Sequence, residues 1–295
     1  MKILVTGASG LLGNKIISLA SSQGHETLGT HNLHLPEEPS KSRRINLVDR
    51  RAVKSLFSDF GPDVVIHTAS MTDVDQCETD PPLAMKTNGE LPGIIADTCN
   101  ELGCFLVHVS TDYVFDGKHG NYSENAAPNP INIYGRSKLM GEREVSRRAR
   151  TFCIARTSSI FGWGRAHRSN FATWLCQKLR RMEKVSAVTD QYVSPTLNTD
   201  LASMLLEIAE RRLNGLFHLS GATRISRYDF AVRLARTFSL NESLILPVKV
   251  ESMNWKAKRP RDSSLNVSKA METLNNKPVT IEESLKQFVL EAPKQ

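Results

Sequence analysis

The sequence predicts an α/β protein with a doubly wound parallel sheet and a smaller mixed lobe. Short apolar strands alternate with amphipathic helices through the first half of the chain, which is typical of βαβ units. A glycine-rich turn joins the first strand directly to the first helix. In the second half the alternation is less regular, and we expect that part to form the smaller lobe over the ends of the strands.

Five short apolar runs are predicted to form the sheet of the first half. They are Ile3–Thr6, Glu26–Thr30, Val64–Ile66, Phe105–Ser110 and Phe152–Arg156. Apolar residues at helical spacing place helices between them, as with Leu12, Ile16 and Leu19. The other predicted helices cover residues 53–60, 90–102 and 134–149.

The second half is predicted to supply a last strand at Leu216–Leu219 and helices at 171–179, 201–208, 227–238 and 281–290. These predictions suggest two parts. Residues 1–160 form a dinucleotide-binding core, with sheet elements returning at about 196–220. Residues 161–195 and 221–295 mainly form a substrate-binding lobe. The loops at 117–133 and 247–266 are long enough to carry functional residues.

The composition indicates an ordinary globular enzyme-sized protein. The chain has 295 residues, of which 40% are apolar and 23% are charged. We expect a cytoplasmic protein without a membrane segment, because no apolar run is long enough to cross a bilayer. The cysteines are odd in number and lack metal-ligand spacing, so we expect buried thiols and no metal; they are Cys77, Cys99, Cys104, Cys153 and Cys176.

The net charge is +7 and the isoelectric point is about 9.2, which favours an anionic partner. The basic residues are spread along the chain and are not interleaved with aromatic residues. A phosphate-bearing small ligand therefore explains the charge at least as well as nucleic acid, which we do not expect as a partner. The sequence leaves a homodimer open.

The glycine-rich turn predicts a phosphate-binding loop. Its residues are Gly7, Ala8, Ser9, Gly10, Leu11, Leu12 and Gly13. Gly7 permits a tight turn, Gly10 lets backbone N–H groups approach a pyrophosphate, and Gly13 lets the helix pack on the strand. The partial positive charge of the helix N-terminus adds to this attraction.

The end of the second predicted strand favours NADP(H) over NAD(H). An acidic residue at this place would bind the 2′-hydroxyl of the NAD ribose. The sequence has Thr30, His31 and Asn32 instead, and Arg43 and Arg44 follow nearby. Two arginines could bind a 2′-phosphate. The alternative is that both side chains are solvent-exposed without a ligand, so NAD(H) stays open.

Tyr134 and Lys138 are the candidate catalytic pair. They are four residues apart on a predicted helix, so they share one face. A free tyrosine has a pKa of about 10, and bringing it near 7 takes roughly 4 kcal/mol of preferential phenolate stabilisation. A neighbouring lysine and a cationic nicotinamide together could supply it. Tyr134 would then act as the general acid in carbonyl reduction, and Lys138 could also hold the nicotinamide ribose.

Thr111 is the candidate third member of this catalytic group. It ends a predicted parallel strand, where ligands bind in sheets of this kind. A hydroxyl there can bind the reacting carbonyl and steady the developing alkoxide. Ser110 is the alternative, and either hydroxyl could instead cap the strand end.

Several motifs along almost the whole chain resemble the dTDP-4-dehydrorhamnose reductase family, a group of Rossmann-like extended short-chain dehydrogenases. The motifs are TGASGLLG at 6–13, STDYVFDG at 110–117, YGRSKLMGE at 134–142, DQYVSPT at 190–196 and RPRDSSL at 259–265. The resemblance implies NADPH-dependent reduction of a nucleotide-linked 4-keto-6-deoxy sugar, with dTDP-4-dehydrorhamnose giving dTDP-L-rhamnose.

The same resemblance implies roles for residues outside the glycine loop. Asn46 and Leu47 would flank the adenine, whereas Ala69, Ser70 and Thr72 would line the cleft that takes cofactor and substrate. Val74, Ser159 and Arg259 would approach the nucleotide sugar; Thr72 and Thr111 would also contact it. For Arg259 the alternative is a salt bridge to a nearby acid.

The sequence departs from the family pattern at some of these positions. Ser159 replaces a tryptophan, so a stacking surface for the sugar is lost. Tyr192 and Ser194 alter the motif at 190–196. Lys15 stands where some bacterial members have a glutamate involved in magnesium binding, so a metal is not expected.

Two rival functions fit the same motifs. The chain also resembles the regulatory β subunit of methionine adenosyltransferase, which would bind NADP and a partner enzyme without turnover. A different nucleotide-sugar reductase or an epimerase on the same scaffold is the other alternative.

Overall fold

A computed structural model describes residues 1–164 and 169–293. The strands are β1 (Lys2–Thr6), β2 (Glu26–His31), β3 (Ser42–Arg44), β4 (Val64–His67), β5 (Phe105–Thr111), β6 (Phe152–Thr157), β7 (Ile160–Phe161), β8 (Val185–Val188), β9 (Tyr192–Val193), β10 (Thr196–Leu197), β11 (Gly215–His218), β12 (Ile225–Ser226) and β13 (Ile245–Val248). The helices are α1 (Leu11–Ser22), α2 (Arg50–Phe60), α3 (Val74–Thr79), α4 (Pro81–Ala84), α5 (Leu91–Leu102), α6 (Ile133–Arg148), α7 (Phe171–Arg180), α8 (Asn198–Arg211), α9 (Arg227–Thr237), α10 (Ser268–Thr273) and α11 (Ile281–Leu290). A π-helical segment, Met85–Glu90, joins α4 to α5.

A seven-stranded parallel sheet has the order β11-β6-β5-β4-β1-β2-β3. The chain moves outward from β1 through β2 to β3, then returns to β4 and moves outward in the other direction. This reversal between β1 and β4 is the switch point at which ligands bind in doubly wound sheets. The predicted fold class is therefore confirmed. Strand β3, which has only three residues, was not among the predicted strands.

The sheet is covered by helices on both faces. In β1, Ile3 and Val5 pack into one apolar cluster with α1 and α8, whereas Leu4 packs into a second with α2 and α5. Burial on both faces explains why these strands are continuous apolar runs rather than alternating ones. Ala270 and Leu274, at α10, also join the first cluster.

A separate apolar cluster forms the lobe beyond the sheet. Aromatic side chains of Phe161, Phe230 and Phe288 meet at its centre, with ring centroids 5.2–5.4 Å apart. The cluster joins α7, α9 and α11 to the short strands β8 and β13. The lobe thus has its own core and lies after β6 in the chain.

In residues 1–164 and 169–293, no helix combines the length and the apolar character that a membrane crossing needs. The same part of the chain holds no cluster of three or more metal-ligating side chains. The five cysteines are free and buried, as expected.

The start of α6 lies directly against the segment that follows β5. A Cβ atom on Gly135 would overlap the carbonyl oxygen of Tyr113 and would lie 2.9 Å from the Cβ of Pro130. Only glycine allows this approach, because the obstacle is backbone rather than a flexible side chain. The contact fixes the first turn of α6, and therefore Tyr134, beside the end of β5.

We expect Gly135→Ala to lower the free energy of unfolding by about 1–3 kcal/mol, because overpacking against backbone forces α6 away from β5. Urea unfolding followed by circular dichroism measures the change. The matched control is Gly93→Ala in α5, where the added Cβ meets the ends of the flexible Arg148 and Glu144 side chains at 3.0–3.1 Å. Equal unfolding free energies for the two variants would contradict the constraint.

Candidate active site

The glycine loop forms a backbone cradle for an anion. Gly7 has a φ of +76°, and its carbonyl accepts a hydrogen bond from the N–H of Gly10 at 2.9 Å. Gly10 caps α1 without a side-chain hydrogen bond, and the first turn of α1 holds no acidic residue. The first N–H groups of α1 are therefore available to a phosphate. A Cβ on Gly13 would overlap the carbonyl of Gly7, so the third glycine is needed for the close packing.

The loop after β4 lies beside the glycine loop. A Cβ on Gly7 would come within 2.8 Å of the backbone nitrogen of Ala69, which shows how tightly the two loops pack. The hydroxyl of Ser70 is buried without a hydrogen-bond partner, whereas Thr72 is exposed. Val74 begins α3, which packs against α6. The loop after β4 thus lies against the glycine loop at the switch point, and Thr72 and Val74 follow it in the chain.

Basic side chains lie at the edge of the sheet, beyond the glycine loop. Arg43 and Arg44 of β3 pair in register with Thr30 and His31 of β2, and both arginines are exposed. The Nε of Arg44 donates to the carbonyl of Asn32 at 3.0 Å. The arginines are therefore both exposed and adjacent to the end of β2.

The adenine-side residues that the resemblance suggested lie in the turn after β3. Asn46 is exposed, and its Oδ1 accepts a hydrogen bond from the N–H of Val48 at 3.2 Å. Leu47 is half-buried and packs against the apolar cluster around α2.

The structure brings Thr111 and Tyr134 together. Thr111 ends β5 and Tyr134 lies in the first turn of α6; a hydrogen bond with Thr111 acts to lower the pKa of the phenol. Burial is the larger effect and raises the pKa of Tyr134 above its ordinary value. The ring also makes an edge contact with Tyr113, at 5.8 Å between centroids. The phenol is therefore protonated and can act as a proton donor.

Lys138 lies on the same helix but directs its ammonium to the strand. Its Nζ donates to the carbonyl of Val109 at 2.6 Å, and the side chain is buried. Burial lowers the pKa of Lys138 to about 8, while the carboxylate of Glu142 opposes this shift. The lowering of the phenol pKa by Lys138 stays a prediction for the protein with a cofactor bound.

Glu142 holds a buried network behind Lys138 that the sequence analysis missed. Arg156 donates to its carboxylate from Nε at 2.9 Å and from Nη2 at 2.7 Å. Ser110 donates to the same carboxylate at 2.5 Å. The Ser110 hydroxyl thus bonds to α6, which leaves Thr111 as the hydroxyl next to the phenol. The i, i+4, i+8 spacing of Tyr134, Lys138 and Glu142 was the available signal.

A second missed residue, Asp112, anchors Thr111 to the lobe. Its buried carboxylate accepts hydrogen bonds from Thr111 at 3.1 Å, Ser158 at 2.8 Å and Ser263 at 2.5 Å. Burial raises the pKa of Asp112, and these hydrogen bonds oppose the shift. The three donors come from β5, from the segment after β6 and from the loop at 247–266, so Asp112 joins the core to the lobe.

Two buried histidines lie on the face of the sheet under Lys138. His67 of β4 and His108 of β5 pair in register and stack, with ring centroids 5.3 Å apart. Burial, followed by the charge of Lys138, lowers the pKa of His67 to about 3 and that of His108 well below its ordinary value. Both rings are neutral, so they add no positive charge next to the ammonium.

Two predicted substrate residues lie on the lobe side. Ser159 follows β6 in a left-handed conformation, with a φ of +41°. Arg259 forms an ion pair with Asp75 at 3.1 Å and donates to the carbonyl of Ala257 at 3.1 Å. Its guanidinium carbon lies 5.2 Å from the ring centroid of Trp255. Arg259 therefore has the acidic partner that the sequence analysis named as its alternative, and it connects the lobe to α3.

A family model described as the RmlD substrate binding domain matches residues 1–293. The chain belongs to this family. It is 33% identical to a probable low-salt glycan biosynthesis reductase of Haloferax volcanii, covering 97% of this chain and 96% of that protein. It is 32% identical to methionine adenosyltransferase 2 subunit beta of Mus musculus, covering 98% of this chain and 89% of that protein.

A solved structure extends the comparison. The dTDP-4-dehydrorhamnose reductase of Bacillus anthracis in complex with NADP has a TM-score of 0.89 and 28% identity, covering 99% of each chain. The resemblance inferred from the motifs is thus confirmed. Family membership and the site geometry indicate an NAD(P)-dependent oxidoreductase of the nucleotide-sugar reductase type.

We expect Glu142→Gln to move the basic limb of the pH–rate profile to lower pH. The carboxylate raises the pKa of Lys138, so its removal lowers that pKa further, and the ammonium is then lost at a lower pH. The measurement is kcat/KM for carbonyl reduction against pH, with a melting curve to confirm folding.

The matched control is Glu144→Gln, two residues along α6, where the carboxylate pairs with Arg147 and Arg148 near the surface. Its profile should match that of the unmodified protein. An unshifted profile for Glu142→Gln would show that Glu142 does not set the charge of Lys138.

Proposed function

We propose that the protein uses NADPH to reduce the 4-keto group of a nucleotide-linked 4-keto-6-deoxy sugar, with dTDP-4-dehydrorhamnose as substrate and dTDP-L-rhamnose as product. The observation that carries the proposal is the juxtaposition of Thr111, at the end of β5, with Tyr134, in the first turn of α6, beside the switch point. Membership of a family with a solved reductase structure supports it.

The cofactor is NADP(H). The cradle fits its pyrophosphate, because the first N–H groups of α1 are uncapped and the glycines leave no room for side chains. Arg43 and Arg44 would bind the 2′-phosphate, and Asn46 and Leu47 would flank the adenine. Ser9, Leu11 and Leu12 would contribute loop contacts, with Ala69, Ser70 and Thr72 on the opposite side. Bound NADPH supplies the hydride.

The catalytic residues then have distinct tasks. Thr111 donates its hydroxyl to Asp112 in the free protein, and it would turn that donor to the carbonyl oxygen when substrate binds, orienting the carbonyl and stabilising the developing alkoxide. Tyr134 donates its phenolic proton to that oxygen. Lys138 holds the nicotinamide ribose from the buried side. The phenol is protonated before reaction because burial raises its pKa, which suits a proton donor.

The sugar-side contacts are proposed for Thr72, Val74, Ser159 and Arg259. Ser159 has no aromatic ring, so the sugar would be held by hydrogen bonds rather than by stacking at this position. Arg259 would reach the substrate while keeping its ion pair with Asp75.

A second candidate function is a regulatory subunit that binds NADP and a partner enzyme. The observation that favours it is the 32% identity to methionine adenosyltransferase 2 subunit beta over 98% of this chain. A stable complex with a synthetase, together with no NADPH oxidation on any keto sugar, would favour this function. Thr111, Tyr134 and Lys138 are all present, which favours the enzyme.

We expect Tyr134→Phe to abolish carbonyl reduction and leave NADPH affinity largely unchanged, because only the proton donor is lost. The rate of NADPH consumption measures carbonyl reduction, and a fluorescence titration measures the dissociation constant of NADPH. The control is Tyr122→Phe, a buried tyrosine that donates to Asp116 and not to the catalytic group. Near-normal turnover in Tyr134→Phe would reject the mechanism.

The cofactor assignment has its own test. NADPH should bind more tightly than NADH, and Arg43→Ala or Arg44→Ala should weaken NADPH alone, since a bidentate arginine–phosphate contact is lost. Dissociation constants for both cofactors decide this. Equal affinities in all three proteins would overturn the 2′-phosphate site.

The substrate is tested by NADPH consumption with a panel of nucleotide-linked 4-keto sugars, including the stereochemistry of the products. The proposal expects dTDP-4-dehydrorhamnose to be turned over with the highest kcat/KM. A higher kcat/KM for another sugar would replace dTDP-4-dehydrorhamnose as the assigned substrate. Inversion of a sugar stereocentre without net NADPH oxidation would indicate an epimerase.

A further inference from the structure

Arg227 is the first residue of α9, and its guanidinium contacts two neutral side chains, an amide and an aromatic ring. Its Nε donates to the amide oxygen of Gln191 at 2.7 Å. The guanidinium carbon lies 5.7 Å from the ring centroid of Phe171, the first residue of α7. The backbone N–H of Arg227 donates to the carbonyl of Gln191 at 3.1 Å. The side chain is therefore held in place by an amide and an aromatic ring.

Five other arginines of the lobe differ from Arg227 because each has a carboxylate partner. The pairs are Arg224 with Asp262, Arg233 with Glu282, Arg236 with Glu242, Arg259 with Asp75, and Arg261 with Glu251. Within residues 1–164 and 169–293, Arg227 forms no ion pair. A half-buried, positioned guanidinium with no carboxylate in ion-pair contact is the state expected of a group that awaits an anionic ligand.

The position of Arg227 connects it to the catalytic group. Gln191 is fully buried, and its Nε2 donates to the carbonyl of Pro260, next to Arg259, at 3.2 Å. The charge of Arg227 also acts to lower the pKa of Asp112, although burial is the larger effect and raises it. Because Gln191 bridges Arg227 to Pro260, Arg227 lies in the lobe beside the segment that carries Arg259.

The N-terminus of α9 contributes little by itself to anion binding. Ser226 caps it by accepting from the N–H of Asp229 at 3.0 Å, and the N–H of Arg227 is bound to Gln191. Asp229 adds an acidic side chain to the first turn. An anion at this place would therefore bind to the guanidinium, whose Nη groups remain after Nε is taken by Gln191.

We propose that Arg227 binds the diphosphate of the nucleotide-linked substrate. The proposal rests on the proposed function for its ligand class, a nucleoside diphosphate. The diphosphate supplies the negative partner that Arg227 lacks. The two Nη groups of the guanidinium match two phosphate oxygens. Arg259 serves as the second cation of this site, with its charge already shared with Asp75.

The experiment compares the binding of dTDP and dTMP by calorimetry, because the two nucleotides differ in the second phosphate. Arg227→Gln should weaken dTDP about 10- to 100-fold, as expected for a lost charge-assisted hydrogen bond, and dTMP much less. Arg227→Lys should retain part of the dTDP affinity, and NADPH affinity should be unchanged in both variants.

The matched control is Arg224→Gln. Arg224 also stacks on an aromatic ring, at 3.9 Å from the centroid of Tyr192, but it is paired with Asp262. The Arg224→Gln variant should bind dTDP and dTMP either with the unmodified affinities or with the same loss for both nucleotides. Unchanged dTDP binding in Arg227→Gln, an equal loss for dTDP and dTMP, or no dTDP binding by the unmodified protein would overturn the assignment.

These outcomes separate the two proposals, because nucleotide binding requires no turnover. Arg227-dependent dTDP binding without reduction of any keto sugar would overturn the proposed reaction and support the Arg227 site. Reduction of a keto sugar with an unchanged KM in Arg227→Gln would overturn the Arg227 site and leave the reaction standing.

Discussion

The hydrogen bond from the Lys138 ammonium to the carbonyl of Val109 is the interaction on which the rest of the site depends. It places a positive charge inside the protein, between α6 and β5, where burial disfavours the charged form. Glu142 supplies the opposing negative charge, and Arg156 and Ser110 hold that carboxylate in place. His67 and His108 remain neutral beneath the ammonium. The charge of Lys138 is thus determined by buried groups on the side of α6 and β5 that is out of contact with solvent.

The front of the site depends on backbone contact. Gly135 lets the first turn of α6 touch the carbonyl of Tyr113, and this brings Tyr134 to Thr111. Asp112 then ties Thr111 to Ser158 and Ser263 in the segments that lead to the lobe. Thr111 and Tyr134 are therefore fixed at the meeting point of core and lobe.

Local patterns were sufficient to predict the central strands, the glycine loop and the relation of Tyr134 to the start of α6. These features follow from hydrophobic periodicity and from glycine stereochemistry, which act over a few residues. Strand β3 was missed because three polar residues give no periodic signal. Glu142 was within reach, since it continues the helical spacing of Tyr134 and Lys138.

Other features could not be predicted from local pattern because they depend on contacts between distant segments. Asp112 receives a hydrogen bond from Ser263, and Arg227 rests on Gln191 and Phe171. The register that stacks His67 on His108 is likewise set by sheet assembly. The direction of Lys138 toward Val109, rather than toward the phenol, reflects the buried carbonyl that it must satisfy.

The central claim is that Lys138 and the bound cofactor lower the pKa of the Tyr134 phenol from the raised value that burial gives it, so that the phenol releases its proton near neutral pH. The direct measurement is an NMR titration of protein labelled with ¹³C at tyrosine Cζ, with NADP⁺ bound and Tyr134→Phe used to assign the signal. We predict that Tyr134 ionises roughly 3 pH units below a free tyrosine, and that Lys138→Met returns its pKa to about 10 or above. The same Tyr134 pKa in both proteins would contradict the account.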